Sequence, residues 1–466
     1  MAGNFQRPDF HLMINLFLVL TAFSLCFLAG FYSPRKAGWF IILILPLLGP
    51  INFKLIPAGF ADFTLYRAAF GVTLGVLLKG YNNVPSLSLF KNKYVKALLL
   101  FNFIYIIISF QSSLKTIIGS MIPTLIISLF LCFVIIRNEK DLNKLIKIFV
   151  WQAAIIGALI LIEYFTAFNF YEYFKILDPE LSSDTVIISK EFITYTRAGS
   201  YRVAGIDGCP IQTGFRLAFL FPLVLWYAQK KNRLCKIPLL LTISGIILLQ
   251  TRATFVAIFI SLIVLFFIIT TSFNKNFIKF IKYTLNILLI TIILMTIIVY
   301  IFPPVKDVII QFYQYSTGYD GIRTLIYKTD RIPVAIKYLL KNPLLGYGTP
   351  EYVYEYVMET QDIPAVLIYF LSGGIIMGFI YSFMIFYMPY SVIKLKNRNY
   401  MSKSQKELCV YAGAAFLSGG IVLFTNWVET HLIYMMMLYV SIYKVYVVKV
   451  KKDKGESLII TENVEK

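Results

Sequence analysis

The chain has 466 residues, of which 58% are apolar and 15% charged, with a mean hydropathy of +0.73 and a net charge of +20. A soluble protein has about a quarter of its residues charged, so this chain has too few charges to cover a soluble surface. The composition excludes disorder or nucleic-acid binding as an account of the whole chain. The five cysteines exclude a secreted disulfide scaffold. An all-α polytopic membrane protein remains, because backbone that spans lipid must satisfy its own hydrogen bonds.

Apolar runs recur along the chain, and a spanning helix needs about 20 apolar residues. The first run follows the N-terminus without a small-x-small cleavage site, which predicts a retained helix rather than a signal peptide. We predict about 12–13 transmembrane helices of this kind, with 237–250 short enough to be a half-span and one of 38–57 and 62–79 not fully crossing. The runs lie near residues 12–31, 38–57, 62–79, 97–113, 116–136, 148–167, 211–228, 237–250, 252–272, 283–302, 364–390, 408–426 and 431–448.

The basic residues predict the orientation. Six short stretches hold 25 of the 44 lysines and arginines, and the positive-inside rule places such stretches in the cytoplasm. Two long polar loops, 168–209 and 303–363, then fall on the outer face, and the C-terminus is cytoplasmic. The predicted organisation is N-terminal transmembrane helices 1–167, outer-face loop 168–209, central helices 210–302, outer-face (periplasmic or extracellular) loop 303–363, C-terminal helices 364–448 and a cytoplasmic tail 449–466.

The first outer loop ends with two arginines, Arg197 and Arg202, and three glycines directly before the helix that starts near Ile211. A helix N-terminus offers free N–H groups and a positive dipole end, which suits an anion. Arginines that extend to lipid headgroups explain the pattern equally well. Arg252 is a sharper signal, because it falls between two apolar runs with almost no loop around it. An arginine at membrane depth is costly and indicates function, the alternative being an interfacial anchor.

The second outer loop predicts amphipathic helices. Asp330 is a plausible N-cap, and apolar residues recur at helical spacing until Asn342–Pro343 stops the helix. Gly346 and Gly348 then predict a tight turn, and Thr349–Pro350 opens a second helix that runs to about Met358. Its acidic stripe fits a solvated face.

Glu429 and His431 lie in the short outer connection before the last helix, as an acid/base pair or as ordinary interfacial residues. Two distant histidines and scattered cysteines give no metal-ligand spacing, and no nucleotide or cofactor motif is present. We therefore predict no metal and no cofactor.

Over residues 200–380 the chain resembles the O-antigen ligase and Wzy-type polysaccharide polymerase superfamily. The resemblance includes the many-helix layout. The matching pieces are R-x-x-G with a following proline (Arg202, Gly205, Pro210), a short span ending in Thr251–Arg252, the outer-loop signature Arg331…Lys341-Asn342-Pro343-Leu344-Leu345-Gly346-Tyr347-Gly348, and Gly373–Gly374 at the start of the next helix.

One departure from the family favours a polymerase over a ligase. Ligases of this family usually carry a His-Asn pair before the glycine-rich helix, whereas this chain has Thr360-Gln361-Asp362-Ile363-Pro364. Arg197 and Gly208 also fit an R-x10-G spacing described for some of the polymerases.

The resemblance implies glycosyl transfer on the outer face of a bacterial plasma (inner) membrane, from a glycan on undecaprenyl diphosphate. The product would be O-antigen of lipopolysaccharide, capsule or exopolysaccharide. A sugar hydroxyl of the acceptor attacks the anomeric carbon and lipid diphosphate leaves. Arginine forks would stabilise that leaving group without a metal. The implied roles are catalytic for Arg202 and Arg252, proton acceptance for Asp362, Glu429 or His431, and substrate binding for Arg197, Arg331, Lys341, Gly346 and Gly348.

Two other functions stay open. A ligase would pass finished glycan to a lipid or protein acceptor, and a flippase would move lipid-linked oligosaccharide. Transporters usually show repeats and broken helices, and the sequence predicts neither. The expected partners are the lipid-linked oligosaccharide, the bilayer, a chain-length regulator and a flippase, with no nucleic acid.

Overall fold

A computed structural model describes residues 10–48, 54–56, 63–79, 90–109, 126–166, 196–197, 200–201, 203, 205–207, 209–229, 233–273, 331–353, 357–358, 364–425 and 432–448. Six helices of this described part are long and apolar enough to cross a membrane, and two shorter apolar helices accompany them. This confirms an all-α polytopic membrane protein. The count of about 12–13 spans extends beyond these residues and stays a prediction.

The described helices and strands are numbered in chain order. They are α1 (Phe10–Tyr32), α2 (Pro34–Leu48), β1 (Lys54–Ile56), β2 (Phe63–Thr64), α3 (Leu65–Lys79), α4 (Lys93–Ser109), α5 (Cys132–Ile135, after a π-helical turn over Ile127–Leu131), α6 (Glu139–Thr166), β3 (Thr196–Arg197), β4 (Ser200–Tyr201), α7 (Pro210–Ala228), α8 (Ile237–Leu249, after a 3-10 turn over Arg233–Lys236), α9 (Arg252–Phe273), α10 (residues 331–341), α11 (Pro350–Tyr352), α12 (Ala365–Lys394, followed by a 3-10 turn over Leu395–Asn397), α13 (Lys403–Thr425) and α14 (Leu432–Tyr443, extended by a π-helical segment Lys444–Val448).

The chain forms two compact units. The first contains residues 1–148, 177–181 and 430–466. In it α1 packs tightly on α3, because Gly75 has no side chain and a Cβ there would lie 2.1 Å from the Phe27 carbonyl oxygen. Small residues allow such close helix approach in membranes. The ring of Tyr94 lies 4.7 Å from that of Tyr439, and the guanidinium of Arg35 donates to Asp141 at 2.9 Å. The contact between Tyr94 and Tyr439 connects the N-terminal and C-terminal parts of the chain within this unit.

The second unit contains residues 149–176 and 182–429. Its helices α6 and α8 approach through glycine, since a Cβ at Gly245 would lie 2.8 Å from the Cα of Gly157. Aromatic side chains fill the contact between α7 and α13, where the rings of Phe219 and Phe416 are 5.8 Å apart. The Tyr381 hydroxyl of α12 donates to the Leu423 carbonyl at 3.1 Å. This unit holds Arg252 and the other described residues of the predicted site.

Several predicted boundaries in the N-terminal half are wrong. Within the run 38–57, the structure describes helix to Leu48, and Lys54–Ile56 is a strand that pairs antiparallel with Phe63–Thr64. Helix α6 begins at Glu139, whereas the apolar run predicted there starts near residue 148. The Asn138 side chain accepts the Asp141 N–H at 3.0 Å, and acidic residues occupy the first turn. The capped first turns of a helix are polar, so their low hydropathy is the same as that of a loop.

The expectation of unbroken spans is wrong for α12. Gly373 and Gly374 have non-helical dihedrals inside it, and Gly374 lies at φ 70° and ψ −170°. That region is essentially restricted to glycine. The Gly-Gly pair therefore interrupts a helix that already began at Ala365, instead of starting one.

Candidate functional site

Four helix ends meet at one place in the second unit. The C-terminal end of α6 and the N-terminus of α7 are linked where the Gly205 N–H donates to the Glu163 carboxylate at 2.9 Å. The junction between α8 and α9 joins them, because the Thr251 hydroxyl donates to the Pro210 carbonyl at 3.2 Å. We call the polar residues gathered here the helix-end cluster: Glu163, Gly205, Asp207, Thr213, Arg216, Gln250, Thr251, Arg252 and Thr254.

Asp207 and Arg216 form a buried ion pair in the cluster. The Arg216 guanidinium donates to one oxygen of Asp207, and the Thr213 hydroxyl donates to the other at 3.1 Å. Arg216 is 2% exposed. Burial raises the pKa of the Asp207 carboxyl, while Arg216 and the Thr213 hydroxyl act in the opposite direction. An ion pair this deep fixes the segment before α7 onto the first turns of that helix.

The junction between α8 and α9 is strained. Gln250 has φ 51° and ψ 36°, the left-handed conformation that usually falls to glycine at a helix C-terminus. Its side chain is 3% exposed, and its amide nitrogen has no hydrogen-bond partner among the described residues. Strain and an unsatisfied polar group cluster at functional sites. Thr251 follows at once and ties this junction to α7.

Arg252 is the first residue of α9, and its side chain is half-buried. The N-termini of α7 and α9 lie side by side at this point, as the contact between Thr251 and Pro210 shows. Each helix N-terminus places a partial positive charge near the guanidinium and so raises the local positive potential. The arrangement can therefore attract and hold an anion such as a phosphate group.

The predicted turn after α10 packs against the break in α12. The N–H groups of Tyr347 and Gly348 donate to the carbonyls of Leu371 and Ser372 at 2.7 and 3.1 Å, and the Ile375 N–H donates to the Pro343 carbonyl at 2.8 Å. A helix break leaves backbone groups without intrahelical partners. The turn supplies those partners, so the outer-loop signature and the glycine pair form one structural unit.

Glycine is required on both sides of this contact. A Cβ at Gly346, where φ is 66°, would lie 2.3 Å from the Ser372 carbonyl oxygen. A Cβ at Gly374 would lie 2.2 Å from the Leu344 carbonyl oxygen. Gly348 has φ 115°, and a Cβ there would have no neighbouring atom closer than 4.0 Å. This position therefore requires glycine because of its backbone conformation and not because of crowding. The predicted tight turn is confirmed, and its hydrogen bonds hold the loop against α12. We describe the loop in this position as seated on α12.

The amphipathic helix predicted within residues 303–363 is confirmed as α10 (residues 331–341). Its residue Ala335 is buried together with Val353 and Leu371, so one face packs toward α12. The opposite face and the following turn expose apolar side chains, with Leu344 67% and Leu345 79% exposed. Lys341 lies beside them, its ammonium nitrogen 5.4 Å from the Tyr338 ring centre. Apolar and basic groups side by side are typical of a segment at a membrane interface.

The structure locates part of the predicted site. Arg252 lies in the helix-end cluster, and the half-buried Arg331 begins α10, which Lys341 ends. Arg197 belongs to a two-residue strand paired with Ser200–Tyr201, for which only the backbone is described. Four predicted residues lie outside the described part: Arg202, Asp362, Glu429 and His431. The second amphipathic helix is confirmed at its start, where the Thr349 hydroxyl accepts the Tyr352 N–H at 3.4 Å.

Sequence reasoning missed Glu163 and Arg216. Each is an ionisable residue within an apolar run of about 20 residues, and such a residue marks function by default. That signal was present in the sequence for both. Within the described residues there is no group of three or more His, Cys, Asp or Glu side chains able to hold a metal.

Comparison with known proteins supports the superfamily resemblance. Residues 237–368 match the family model described as O-antigen ligase. This region runs from α8 through Arg252 and the outer-loop signature into the start of α12. No curated protein matches the chain. The chain is therefore a multi-pass membrane protein whose residues 237–368 are similar to the O-antigen ligase family.

Proposed function

We propose that the protein is a membrane glycosyltransferase that polymerises undecaprenyl-diphosphate-linked oligosaccharide repeat units on the outer face of the plasma membrane. The observation that carries the proposal is the position of Arg252. It begins α9 beside the N-terminus of α7, in the region that matches the family model. The products would be O-antigen, capsule or exopolysaccharide.

The chemistry follows from the leaving group. An acceptor sugar hydroxyl attacks the anomeric carbon, the glycosidic bond to phosphate breaks, and lipid diphosphate departs with increasing negative charge. Fixed cationic groups stabilise such charge most when they are already in position. Arg252 and Arg202 take this role, because a guanidinium binds phosphate through two parallel hydrogen bonds and stays charged. Asp362, Glu429 and His431 remain the proposed acceptors for the hydroxyl proton.

Donor binding is assigned to the second outer loop. Arg331 and Lys341 lie at the two ends of α10, next to the exposed leucines of the turn. Their side chains would bind the diphosphate or glycan while the leucines contact the lipid carrier. The seated turn, with Gly346 and Gly348, would hold this surface in place.

Replacing Leu344 and Leu345 together by asparagine should weaken donor binding. Fully burying one leucine side chain contributes about 1.5–3 kcal/mol, so we expect the KM for the lipid-linked donor to rise at least about tenfold with kcat nearly unchanged. The matched control replaces both by methionine, which keeps an apolar surface. An unchanged KM in the asparagine variant would contradict contact between this turn and the lipid carrier.

A ligase of the same superfamily is the nearest alternative, and the matching family model is itself described as O-antigen ligase. The polymerase is preferred because Thr360–Pro364 lacks the His-Asn pair that ligases usually carry. A flippase is a further alternative, although the freed backbone groups at the break in α12 are occupied by the turn. A chain-length regulator and a flippase are proposed as partners.

The deciding experiment uses purified protein in nanodiscs with the native undecaprenyl-diphosphate-linked repeat unit. A ladder of products on a gel, together with release of undecaprenyl diphosphate, is the expected result. Transfer to an added lipid or protein acceptor without a ladder would indicate a ligase. Neither product, with the native substrate present, would overturn glycosyl transfer by this chain alone.

A further inference from the structure

The segment that follows Arg202 is anchored by two buried carboxylates, one on helix α6 and one in the segment itself. Glu163 of α6 accepts the Gly205 N–H at 2.9 Å, and Asp207 accepts the Thr213 hydroxyl at 3.1 Å and the Arg216 guanidinium of α7. We call the described residues of this segment, 203, 205–207 and 209, the arginine loop. Its apolar residues Val203 and Ile206 are buried as well.

Burying the ionisable side chain of Glu163 at this place costs free energy. It is 2% exposed and belongs to a helix apolar enough to span a membrane. A carboxylate at such a place is retained for function or for a specific hydrogen-bonding role. Its carboxyl oxygen accepts the Gly205 N–H, and an ionised carboxylate makes this bond charge-assisted, which is the stronger kind.

We propose that Glu163 is a positioning residue for glycan transfer: its carboxylate fixes Gly205 and so sets the position of Arg202 relative to Arg252. Arg202 stands three positions before Gly205 in the chain, a reach of at most about 10–11 Å. Anchoring Gly205 therefore restricts the volume that the Arg202 side chain can sample. The inference rests on the proposed function for its catalytic part and on the contacts above for its structural part.

Glu163 acts through the loop and not on substrate. With 2% of its surface exposed, its carboxylate is not open to a sugar hydroxyl, so it is no candidate for the proton acceptor. Its effect on catalysis is geometric. Displacing a catalytic group by about 1 Å costs about 100-fold in rate, which sets the scale expected when the anchor is lost.

Gly205 provides a second, independent way to displace the same loop. It has φ 76°, and a Cβ there would lie 2.5 Å from the Thr213 hydroxyl oxygen. Gly205→Ala would push the arginine loop away from α7 while leaving the Glu163 carboxylate in place. If the loop position matters, this variant should have the same effect as removing the anchor.

The test compares Glu163→Ala, Glu163→Gln and Gly205→Ala. The position of the loop is read by maleimide labelling of Cys209, which is half-buried, with the buried Cys235 as internal reference in the same protein. Peptide mass spectrometry resolves the two sites in folded protein in detergent. We expect labelling of Cys209 relative to Cys235 to rise about tenfold in Glu163→Ala, the size of one lost charge-assisted hydrogen bond. It should stay within about threefold of wild type in Glu163→Gln, whose amide oxygen still accepts from Gly205.

Kinetics with the native lipid-linked donor form the second readout. In Glu163→Ala and Gly205→Ala we expect kcat to fall about 10- to 100-fold with little change in KM, because positioning is lost and not substrate binding. Glu163→Gln should keep most of the activity. This rescue by a neutral acceptor separates a hydrogen-bonding role from a purely electrostatic one.

The outcomes are distinguishable. Unchanged labelling in Glu163→Ala overturns the anchoring role, whatever the enzyme does. Raised labelling with unchanged kcat overturns the link to catalysis, and a Glu163→Gln variant as impaired as Glu163→Ala overturns the hydrogen-bond basis. A wild-type protein with no transfer activity overturns the proposed function, while the labelling still decides whether Glu163 holds the loop. If Glu163→Ala does not fold, Gly205→Ala against wild type still decides whether displacing the loop lowers kcat, and unchanged labelling together with unchanged kcat in that variant would overturn the proposal.

Discussion

Replacing Arg252 by alanine is expected to abolish long-chain glycan while the protein remains folded and inserted in the membrane. Removing one donor that stabilises developing charge costs about 100- to 1,000-fold in kcat, and a ladder of many additions would not survive such a loss. The same result is expected for Arg202→Ala. Both variants would be assayed by product ladder and by release of undecaprenyl diphosphate.

Arg252→Lys should fall between wild type and alanine. Lysine keeps the charge but loses the planar fork that binds two phosphate oxygens at once. The matched control is Arg398→Ala, an exposed arginine of the same unit that follows α12, and we expect wild-type chain lengths from it. Full-length polymer from both Arg252→Ala and Arg202→Ala would refute the arginine mechanism.

The positions of the described apolar helices were largely predictable, because a spanning helix must be apolar over its whole length. The run predicted at 211–228 is α7 (Pro210–Ala228), and the run predicted at 252–272 is α9 (Arg252–Phe273). Hydropathy did not predict helix where the helical residues are polar, as in the first turns of α6. It also failed at Lys54–Ile56, where apolar residues form a strand instead of a helix.

The candidate site was predictable only in its conspicuous residues. Arg252 was identified because a charge interrupts two apolar runs. Glu163 and Arg216 are each a single charge inside an apolar run, and their cost in a membrane is the sequence signal that marks them. Their partners are 42 and 9 residues away along the chain, and no local pattern reports a pairing at such separations.

The break in α12 shows the same limit for the backbone. The sequence marks the pair Gly373–Gly374, but its partner is the turn at Pro343–Gly348, which an intervening stretch of chain separates from it. The sequence shows that glycine is present, but it does not show which carbonyl group that glycine approaches in the fold. The structure shows that two motifs of the family resemblance, the outer-loop signature and the glycine pair, are the two halves of one contact.

Gly346→Ala is expected to separate these halves. The left-handed conformation costs a non-glycine residue about 1–2 kcal/mol, and the new Cβ would lie 2.3 and 2.4 Å from two backbone carbonyl oxygens of α12. The turn must then move, and the bonds from Tyr347 and Gly348 are lost at about 0.5–1.5 kcal/mol each. Together these terms destabilise the seated loop by about 3 kcal/mol. Trypsin cleavage after Lys341 should accelerate accordingly, and polymer formation should be lost.

Ser372→Ala is the matched control, because Ser372 contributes its backbone carbonyl to the contact and not its side chain. Its hydroxyl is buried without a hydrogen-bond partner among the described residues, so removing it should leave stability unchanged or slightly increased. A methyl group added on one side of the contact would thus destroy it, while a hydroxyl removed from the other side would not. Equal trypsin resistance and activity in both variants would mean that seating the turn on α12 is dispensable, and that the outer loop binds its substrate by side chains alone.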